Sequence, residues 1–428
     1  MIMSLYRLLL RPASPLLRQM LARRLARGKE DSARLGERMG NASLARPDGL
    51  VVWLHAASVG ESLSLLALIE DLRTRRPDLS LLLTTGTVTS AELMHKRLPA
   101  GVMHQYVPVD HPRWVKRFLD HWRPDAVIWS ESEFWPNILY DLRRRRIPAM
   151  LVNARMSVRS YRRWRLVRGF ARTVLSAFDV CLAQTPREAQ QLSDLGARKV
   201  DAVGNLKYAA APLPDNAQAR AALEDATAGR PLLLWASTHP GEEDIAAATH
   251  VALAKDVAGL LTVIVPRHPV RGGDIATQIT ARGLRAVQRS AGVLPDAACD
   301  IYVADTLGEL GLFYRLCPTV VMGGTFADIG GHNPIEPAQL GCVIVCGPQL
   351  YNFSSIREDF VQAKAMVEVV DPWSMVKILR ERLQNPAAYD AIGKAAQALT
   401  QRQAPVLEKI YAELAAVLPP AGGQQARG

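Results

Sequence analysis

Three carboxylate- or lysine-bearing segments in this sequence have the residue types for proton transfer and charge stabilisation. The first is His55-Ala56-Ala57-Ser58-Val59-Gly60-Glu61, in which Glu61 could take the proton of an attacking hydroxyl. Ser58 and Glu61 also have the spacing of a helix capping box, which accounts for both residues without any chemistry. The second is Ser130-Glu131-Ser132-Glu133-Phe134-Trp135-Pro136-Asn137, where two carboxylates two residues apart follow an apolar run. Packing does not explain such a pair. The third is Gly204-Asn205-Leu206-Lys207, which offers a cation at a strand end. Thr84-Thr85-Gly86-Thr87 adds small hydroxyls, and Asn153-Ala154-Arg155-Met156-Ser157 adds an arginine suited to an anion.

A further set lies in the second half and suits an anionic ligand. Ser237-Thr238-His239-Pro240-Gly241-Glu242-Glu243 combines hydroxyls with the free N–H groups of a helix start. Arg267 and His268, between Pro266 and Pro269, read as a clamp on phosphate or a nucleobase. Thr306-Leu307-Gly308-Glu309-Leu310-Gly311 opens another helix. The densest segment runs from Gly323-Gly324 through Gly330-Gly331-His332-Asn333 to Pro334-Ile335-Glu336-Pro337. Its glycines let backbone approach a ligand, and Glu336 at the following helix start can accept from neighbouring sugar hydroxyls. A glycine-rich turn with an acidic first helical turn is the plainer reading of the same residues.

Each of these segments follows an apolar run that reads as a strand. Val51–His55, Leu81–Thr85, Val102–Val107, Ala126–Trp129, Ala149–Val152 and Val180–Ala183 form one series, alternating with helical patterns. Leu232–Ala236, Leu261–Val265, Ile301–Val303, Val320–Met322 and Val343–Val345 form another. Between them, from Ala209 to Arg230, the rhythm breaks, and a linker is expected there. The alternation predicts two doubly wound α/β halves of parallel strands, with ligand loops at the carboxyl ends of the strands and a cleft between the halves.

With 428 residues, 49% hydrophobic and 22% charged, the chain has material for two cores. Cys181, Cys299, Cys317, Cys342 and Cys346 form no CxxC pair and read as buried thiols in a reducing compartment. The net charge of +11 is uneven. Arg143 to Arg146 are consecutive, and Arg155, Arg159, Arg162, Arg163, Arg165, Arg168 and Arg172 crowd one region. Such clusters suit a phosphorylated substrate or anionic lipid. No nucleic-acid-binding motif accompanies them, so nucleic acid is not an expected partner. Near the N-terminus, leucines alternate with arginines, and Pro12 and Pro15 interrupt any long apolar run. That pattern fits a basic amphipathic segment lying on a membrane surface rather than spanning it, or an ordinary first helix packed on the protein.

No P-loop, GxGxxG after the first strand, DxD-like pair or i, i+4 histidine pair is present, so no metal and no nicotinamide or flavin cofactor is expected. The motifs HAASVGE (55–61), TTGT (84–87), SESEFWPN (130–137), NARMSVRS (153–160), GNLK (204–207), STHPGEE (237–243), PRHP (266–269), GELG (308–311) and GGHNPIEPA (330–338) occur in collinear order over nearly the whole chain. In this the sequence resembles the 3-deoxy-D-manno-octulosonic acid (Kdo) transferases of Gram-negative lipopolysaccharide assembly.

The resemblance implies a GT-B fold of two Rossmann-like domains facing a central cleft. It also implies inverting transfer of Kdo from CMP-Kdo to the tetra-acylated lipid A precursor, at the cytoplasmic face of the inner membrane. Glu61 would be the base, with Glu131 and Lys207 stabilising the transition state. CMP-Kdo would be held by Arg267, His268, Gly308, Glu309, Leu310 and the run Asn333, Pro334, Ile335 and Glu336, and with them Ser237, Thr238, His239, Gly324, Gly331 and His332. Ser58, Gly60, Arg155 and Arg159 would meet the acceptor. The expected organisation is a membrane-associating segment (1–40), an acceptor domain (41–210), a donor domain (211–418) and a disordered tail (419–428). Family members usually begin with a more continuous hydrophobic anchor, so peripheral attachment is expected here. Two other readings use the same residues: a GT-B enzyme with another nucleotide sugar such as a UDP-sugar, and a non-catalytic lipid- or nucleotide-binding protein.

Overall fold

The structure is a computed structural model that describes residues 2–403, 405–418 and 420. The chain divides into two compact units. The first runs to Ala210 and takes back the segment from Gln403 onward, and the second is Ala211–Arg402.

The first unit is a seven-stranded parallel sheet of β1 (Leu50–His55), β2 (Leu79–Thr85), β3 (Met103–Tyr106), β4 (Ala126–Ser130), β5 (Ala149–Ala154), β6 (Val180–Ala183) and β7 (Val200–Ala202), in the order β3-β2-β1-β4-β5-β6-β7. Alternate side chains of β1 feed opposite cores. Val51 and Trp53 pack with Phe118, Trp122 and Trp129, while Val52 and Leu54 pack with Leu65, Leu68 and Leu72. Both faces are therefore buried, as a parallel sheet requires. The helix Val406–Leu414 completes the second of these cores through Val406, Ile410 and Leu414, with Val417 and Leu418 behind them. The expected donor domain of 211–418 is thus too long, because an apolar helix face near the C-terminus packs on the first sheet. Most of the expected tail lies outside the described residues.

The N-terminal segment is likewise not a separate element. Helices Ile2–Leu10 and Ser14–Ala26 pack on the first unit, with Met3 and Leu21 buried. Arg7 pairs with the buried Asp141 at 3.0 Å. Glu37 is buried and accepts from the Tyr106 N–H at 2.7 Å. No helix of the described residues is long and apolar enough to cross a membrane.

The second unit repeats the plan with β8 (Leu232–Thr238), β9 (Leu261–Pro266), β10 (Ala286–Gln288), β11 (Ile301–Val303), β12 (Thr319–Met322), β13 (Val343–Cys346) and β14 (Val367–Glu368). The order is β10-β11-β9-β8-β12-β13-β14, again all parallel. Three of these short strands or their counterparts, β7, β10 and β14, have two or three residues and no long apolar run, which is why periodicity alone does not delimit them. The expected linker contains the helix Ala217–Ala226, which belongs to the second unit and buries Leu223.

Candidate active site

In both sheets the strand order reverses beside the first strand of the unit, at β1/β4 and at β8/β12. At such a switch point the loops after the two strands diverge to opposite faces and leave a crevice at their carboxyl ends. The four loops concerned are those carrying Glu61, Glu131, His239 and His332.

In the first unit, β1 ends at His55 and the helix Val59–Arg75 begins after Ser58, whose hydroxyl accepts from the Glu61 N–H. Glu61 does not complete the capping box. Its carboxylate instead accepts from the Ala57 N–H at 2.8 Å and the Ser58 hydroxyl at 2.9 Å. Those two donors fix the side chain facing back over the end of β1. The loop is tight because Gly86 stands against it. A Cβ there would lie 2.8 Å from the Ala57 carbonyl oxygen, so only glycine fits. Burial, and then the neighbouring charge of Glu131, raise the Glu61 carboxyl to about 7. A carboxyl poised there exists in both protonation states near neutral pH, as a general base should.

Glu131 follows β4 in the left-handed region at φ 56°, a conformation that costs a non-glycine residue about 1 kcal/mol or more. Its own carboxyl is raised by burial and pulled back by the charges of Lys207 and Arg155. The structure therefore brings Glu61, Glu131, Lys207 and Arg155 within electrostatic reach of one another. Ser132 ties the β4 loop to the β5 loop, accepting from the Arg155 N–H at 3.2 Å.

Lys207 sits on the 3₁₀ turn Leu206–Ala209, which is held by residues outside the expected site. Asn153, buried at φ 53°, accepts from the Leu206 N–H at 2.9 Å, and its carbonyl accepts from Gln184 at 3.1 Å. Gln184 in turn accepts from Asn205 at 3.2 Å, and Asn205 caps the Lys207 N–H at 3.0 Å. This buried amide chain fixes where the lysine stands. Asn153 and Asn205 lie in motifs visible in the sequence. Gln184 lies in none.

In the second unit, Ser237 closes β8 at φ 62°, where the register with β9 slips by one residue. Gly323, at the end of β12, passes so close that a Cβ would lie 2.2 Å from the Ser237 carbonyl oxygen. Glu242 is the fastener between the two loops. Buried to 1% exposure, it accepts from the N–H groups of His239 at 2.9 Å, Gly324 at 2.7 Å and Phe326 at 3.0 Å. The result is a pair of parallel imidazoles, His239 and His332, with ring centroids 5.1 Å apart and Nε2 atoms 2.9 Å apart. Burial, and then the charge of Arg267, lowers His332 to about 4. His239 is lowered chiefly by burial. The pair is therefore neutral at physiological pH, with Arg267 and His268 exposed beside it. Among the described residues no three His, Cys, Asp or Glu side chains gather as a metal site would need.

The family model for 3-deoxy-D-manno-octulosonic-acid transferase (kdotransferase) matches residues 33–210. A 3-deoxy-D-manno-octulosonic acid transferase of Rickettsia bellii is 33% identical over 85% of this chain and 86% of its own. One of Bordetella pertussis is 33% identical over 94% of this chain and 96% of its own. The chain belongs to the Kdo transferase family. It is accordingly a glycosyltransferase. UDP-GlcNAc 2-epimerase from Neisseria meningitidis (12% identity, TM-score 0.56, 86% of this chain and all of that one) and MurG from Acinetobacter baumannii (12% identity, TM-score 0.54, 84% of this chain and 99% of that one) share the GT-B fold.

Several residues expected to touch ligand turn out to hold the loops that would. Thr238 is fully buried and donates to Glu243 at 2.8 Å, and Glu243 also takes the Arg271 guanidinium. Glu309 is engaged by Arg289 and Thr306, and the Arg289 bonds hold its carboxyl below the usual range. Its carboxylate therefore braces the turn, leaving Gly308 exposed and Leu310 half-buried. Ile335 is buried, and its N–H is taken by Asn333 at 3.2 Å. Pro334 is buried too, while Asn333 and Glu336 are half-buried and bonded to each other at 3.3 Å. Gly331 is buried under Leu350, and Gly324 lies against His332. Gly60 stands beside Ser58 in open space, and Arg159 is exposed on the helix Val158–Leu166. Glu242, Gln184 and His55 support these loops from outside the expected site. His55 is fully buried against Trp129 and Thr84, and burial lowers it to about 3, so it is a neutral spacer under the Glu61 loop.

Proposed function

We infer that this glycosyltransferase moves Kdo from CMP-Kdo to a hydroxyl of the phosphorylated, tetra-acylated lipid A precursor, inverting the anomeric carbon. The observation that carries the reading is the Glu61 carboxyl, buried, anchored by two donors and raised to about 7 beside Glu131 and Lys207. A binding protein for acidic lipid gains nothing from two buried carboxylates, which would repel it.

In this mechanism Glu61 accepts the acceptor hydroxyl's proton as the oxygen bonds to the anomeric carbon of Kdo. The bond from that carbon to the CMP phosphate oxygen breaks, and CMP leaves as a phosphate monoester. Lys207 and Arg267 supply positive charge for the carboxylate and phosphate of the donor. Glu131, held at φ 56°, keeps Lys207 oriented and stabilises positive charge developing on the sugar ring. On the donor side, the N–H groups of the His239–His332 pair, the exposed Arg267 and His268, and the backbone of Gly308 and Leu310 suit a nucleotide monophosphate. Asn333 and Glu336 suit sugar hydroxyls. Arg155 and Arg159 suit the acceptor's phosphates. Ser58 and Gly60 border the acceptor oxygen.

The exposed Leu5, Leu8, Leu9 and Leu16 on the first two helices, interleaved with arginines, support attachment to an anionic membrane surface, which in this reading is the cytoplasmic face of the inner membrane. The test is substrate choice. Transfer with CMP-Kdo but not with UDP-sugars, inhibited by CMP and not by UDP, is the expected result. Turnover of a UDP-sugar with CMP-Kdo inert would overturn the reading.

A further inference from the structure

The helix Val158–Leu166 is unusual in burying none of its residues. It starts directly after Arg155 and carries Arg159, Arg162, Arg163 and Arg165 outward over roughly 13 Å. At its far end it meets an apolar cavity of about 430 Å³ lined by Tyr6, Leu166, Val167, Arg168, Gly169 and Phe170. That volume falls within the range of small-ligand pockets. Leu166 is 86% exposed and Val167 50%, although both are large and apolar.

The cavity is joined to the catalytic loop by aromatic contacts. Tyr6 lies 5.8 Å from Phe170, Phe170 stacks on Trp164 at 6.2 Å, and Trp164 meets Phe134 edge-on at 5.7 Å. Phe134 belongs to the segment that carries Glu131. Tyr6 and Phe170 thus form one wall of the pocket, and the row of arginines leads from the catalytic loops to its rim.

We propose that this cavity is an acyl-chain subsite: it receives one hydrocarbon chain of the acceptor while the arginine row pairs with the acceptor's phosphates. The occupant must be apolar to match the lining, and anionic at its head to match the arginines. An acylated, phosphorylated sugar satisfies both demands in one molecule. The inference rests on the acceptor class proposed above. It adds that the enzyme senses acylation directly, and not only through residence on a membrane.

Gly169 provides the means to test it. It lines the cavity and is helical, and a Cβ at that position has nothing within 4 Å, so a larger side chain takes up open space at the lining without a clash. Replacing glycine in a helix also favours folding. Equilibrium binding of the tetra-acylated precursor to the full chain would be compared for wild type, Gly169→Ala and Gly169→Leu. The same precursor stripped of its chains serves as the control probe. Gly169→Leu should weaken binding of the acylated form roughly tenfold, since excluding even two methylenes costs that much. Gly169→Ala should stay near wild type, and the deacylated form should bind all three proteins alike.

Equal affinity of wild type and Gly169→Leu for the acylated form would overturn the subsite. So would a parallel loss for the deacylated form, which would mark a general distortion. A tenfold loss of binding to phosphatidylglycerol vesicles with acceptor affinity unchanged would also overturn it, assigning the pocket to bilayer lipid. Because the readout is binding, absence of transfer by wild type would sink the proposed reaction without deciding the subsite.

Discussion

Replacing Glu61 with glutamine should stabilise the first unit while removing its activity, and the amount depends on pH. Glutamine keeps the shape and both contacts: its oxygen can accept from Ala57 and its NH₂ can donate to the Ser58 hydroxyl. What disappears is the charge. In the folded protein the Glu61 carboxyl is raised from 4.5 to about 7, mainly by burial and then by Glu131. A raised carboxyl binds its proton more tightly folded than unfolded. Its contribution is therefore full below about pH 4.5 and is lost as pH rises to about 7. The loss amounts to about 3 kcal/mol. Glu61→Gln has no such term. Its stability advantage over wild type should be near zero at pH 4.5 and grow to about 3 kcal/mol by pH 8. Urea denaturation at several pH values, followed by fluorescence of Trp53 and Trp129 in the first core, reads this difference. A constant difference between the two proteins from pH 5 to 8 would refute the claim that Glu61 is held as a strained, neutral-range base.

Other consequences follow from the same geometry. Lys207→Met removes the charge that most lowers Glu131, so Glu131 should titrate higher and transfer should fall by at least about 100-fold with little change in folding, read as kcat against pH. Asn153→Ala leaves the Leu206 N–H without its partner and frees the turn that carries Lys207. It should cost about 1–3 kcal/mol and lower kcat more than it raises KM for the donor, separable by steady-state kinetics with thermal melts. Glu242→Ala strands three N–H groups, one of them in a fully buried bond, so donor binding should weaken and the second unit should lose about 3 kcal/mol, measurable by CMP titration and denaturation. Unchanged CMP affinity in that variant would contradict the role given to the β8 and β12 loops.

The sequence made the two sheets legible because parallel strands buried on both faces read as continuous apolar runs. Val180–Ala183 and Ile301–Val303 have the same bounds in sequence and structure. The position of the candidate loops at the carboxyl ends of the strands followed from the alternation alone. What stayed hidden was of three kinds. Short edge strands such as Val367–Glu368 carry too few residues for a period. The return of Val406–Leu414 to the first sheet is a long-range choice that an amphipathic helix does not declare locally. Supporting roles were hidden as well. Glu242 and Glu243 look alike beside a helix start, yet one gathers three N–H groups and the other an arginine. Thr238 reads as a ligand hydroxyl because alternation along β8, which would point it inward or outward, is broken by the slip at Ser237. Left-handed Glu131 and Asn153 were visible only as residue types, not as strained positions.

The most direct test of the central claim is transfer from CMP-Kdo to the tetra-acylated lipid A precursor, followed by mass spectrometry across pH, with wild type and Glu61→Gln in parallel. The account predicts a Kdo-sized mass gain for wild type that falls away below about pH 7, with no gain in the variant although it still binds CMP-Kdo. Turnover by Glu61→Gln comparable to wild type, or a wild-type rate flat from pH 5 to 8, would contradict it and reduce Glu61 to a brace of the loop after β1.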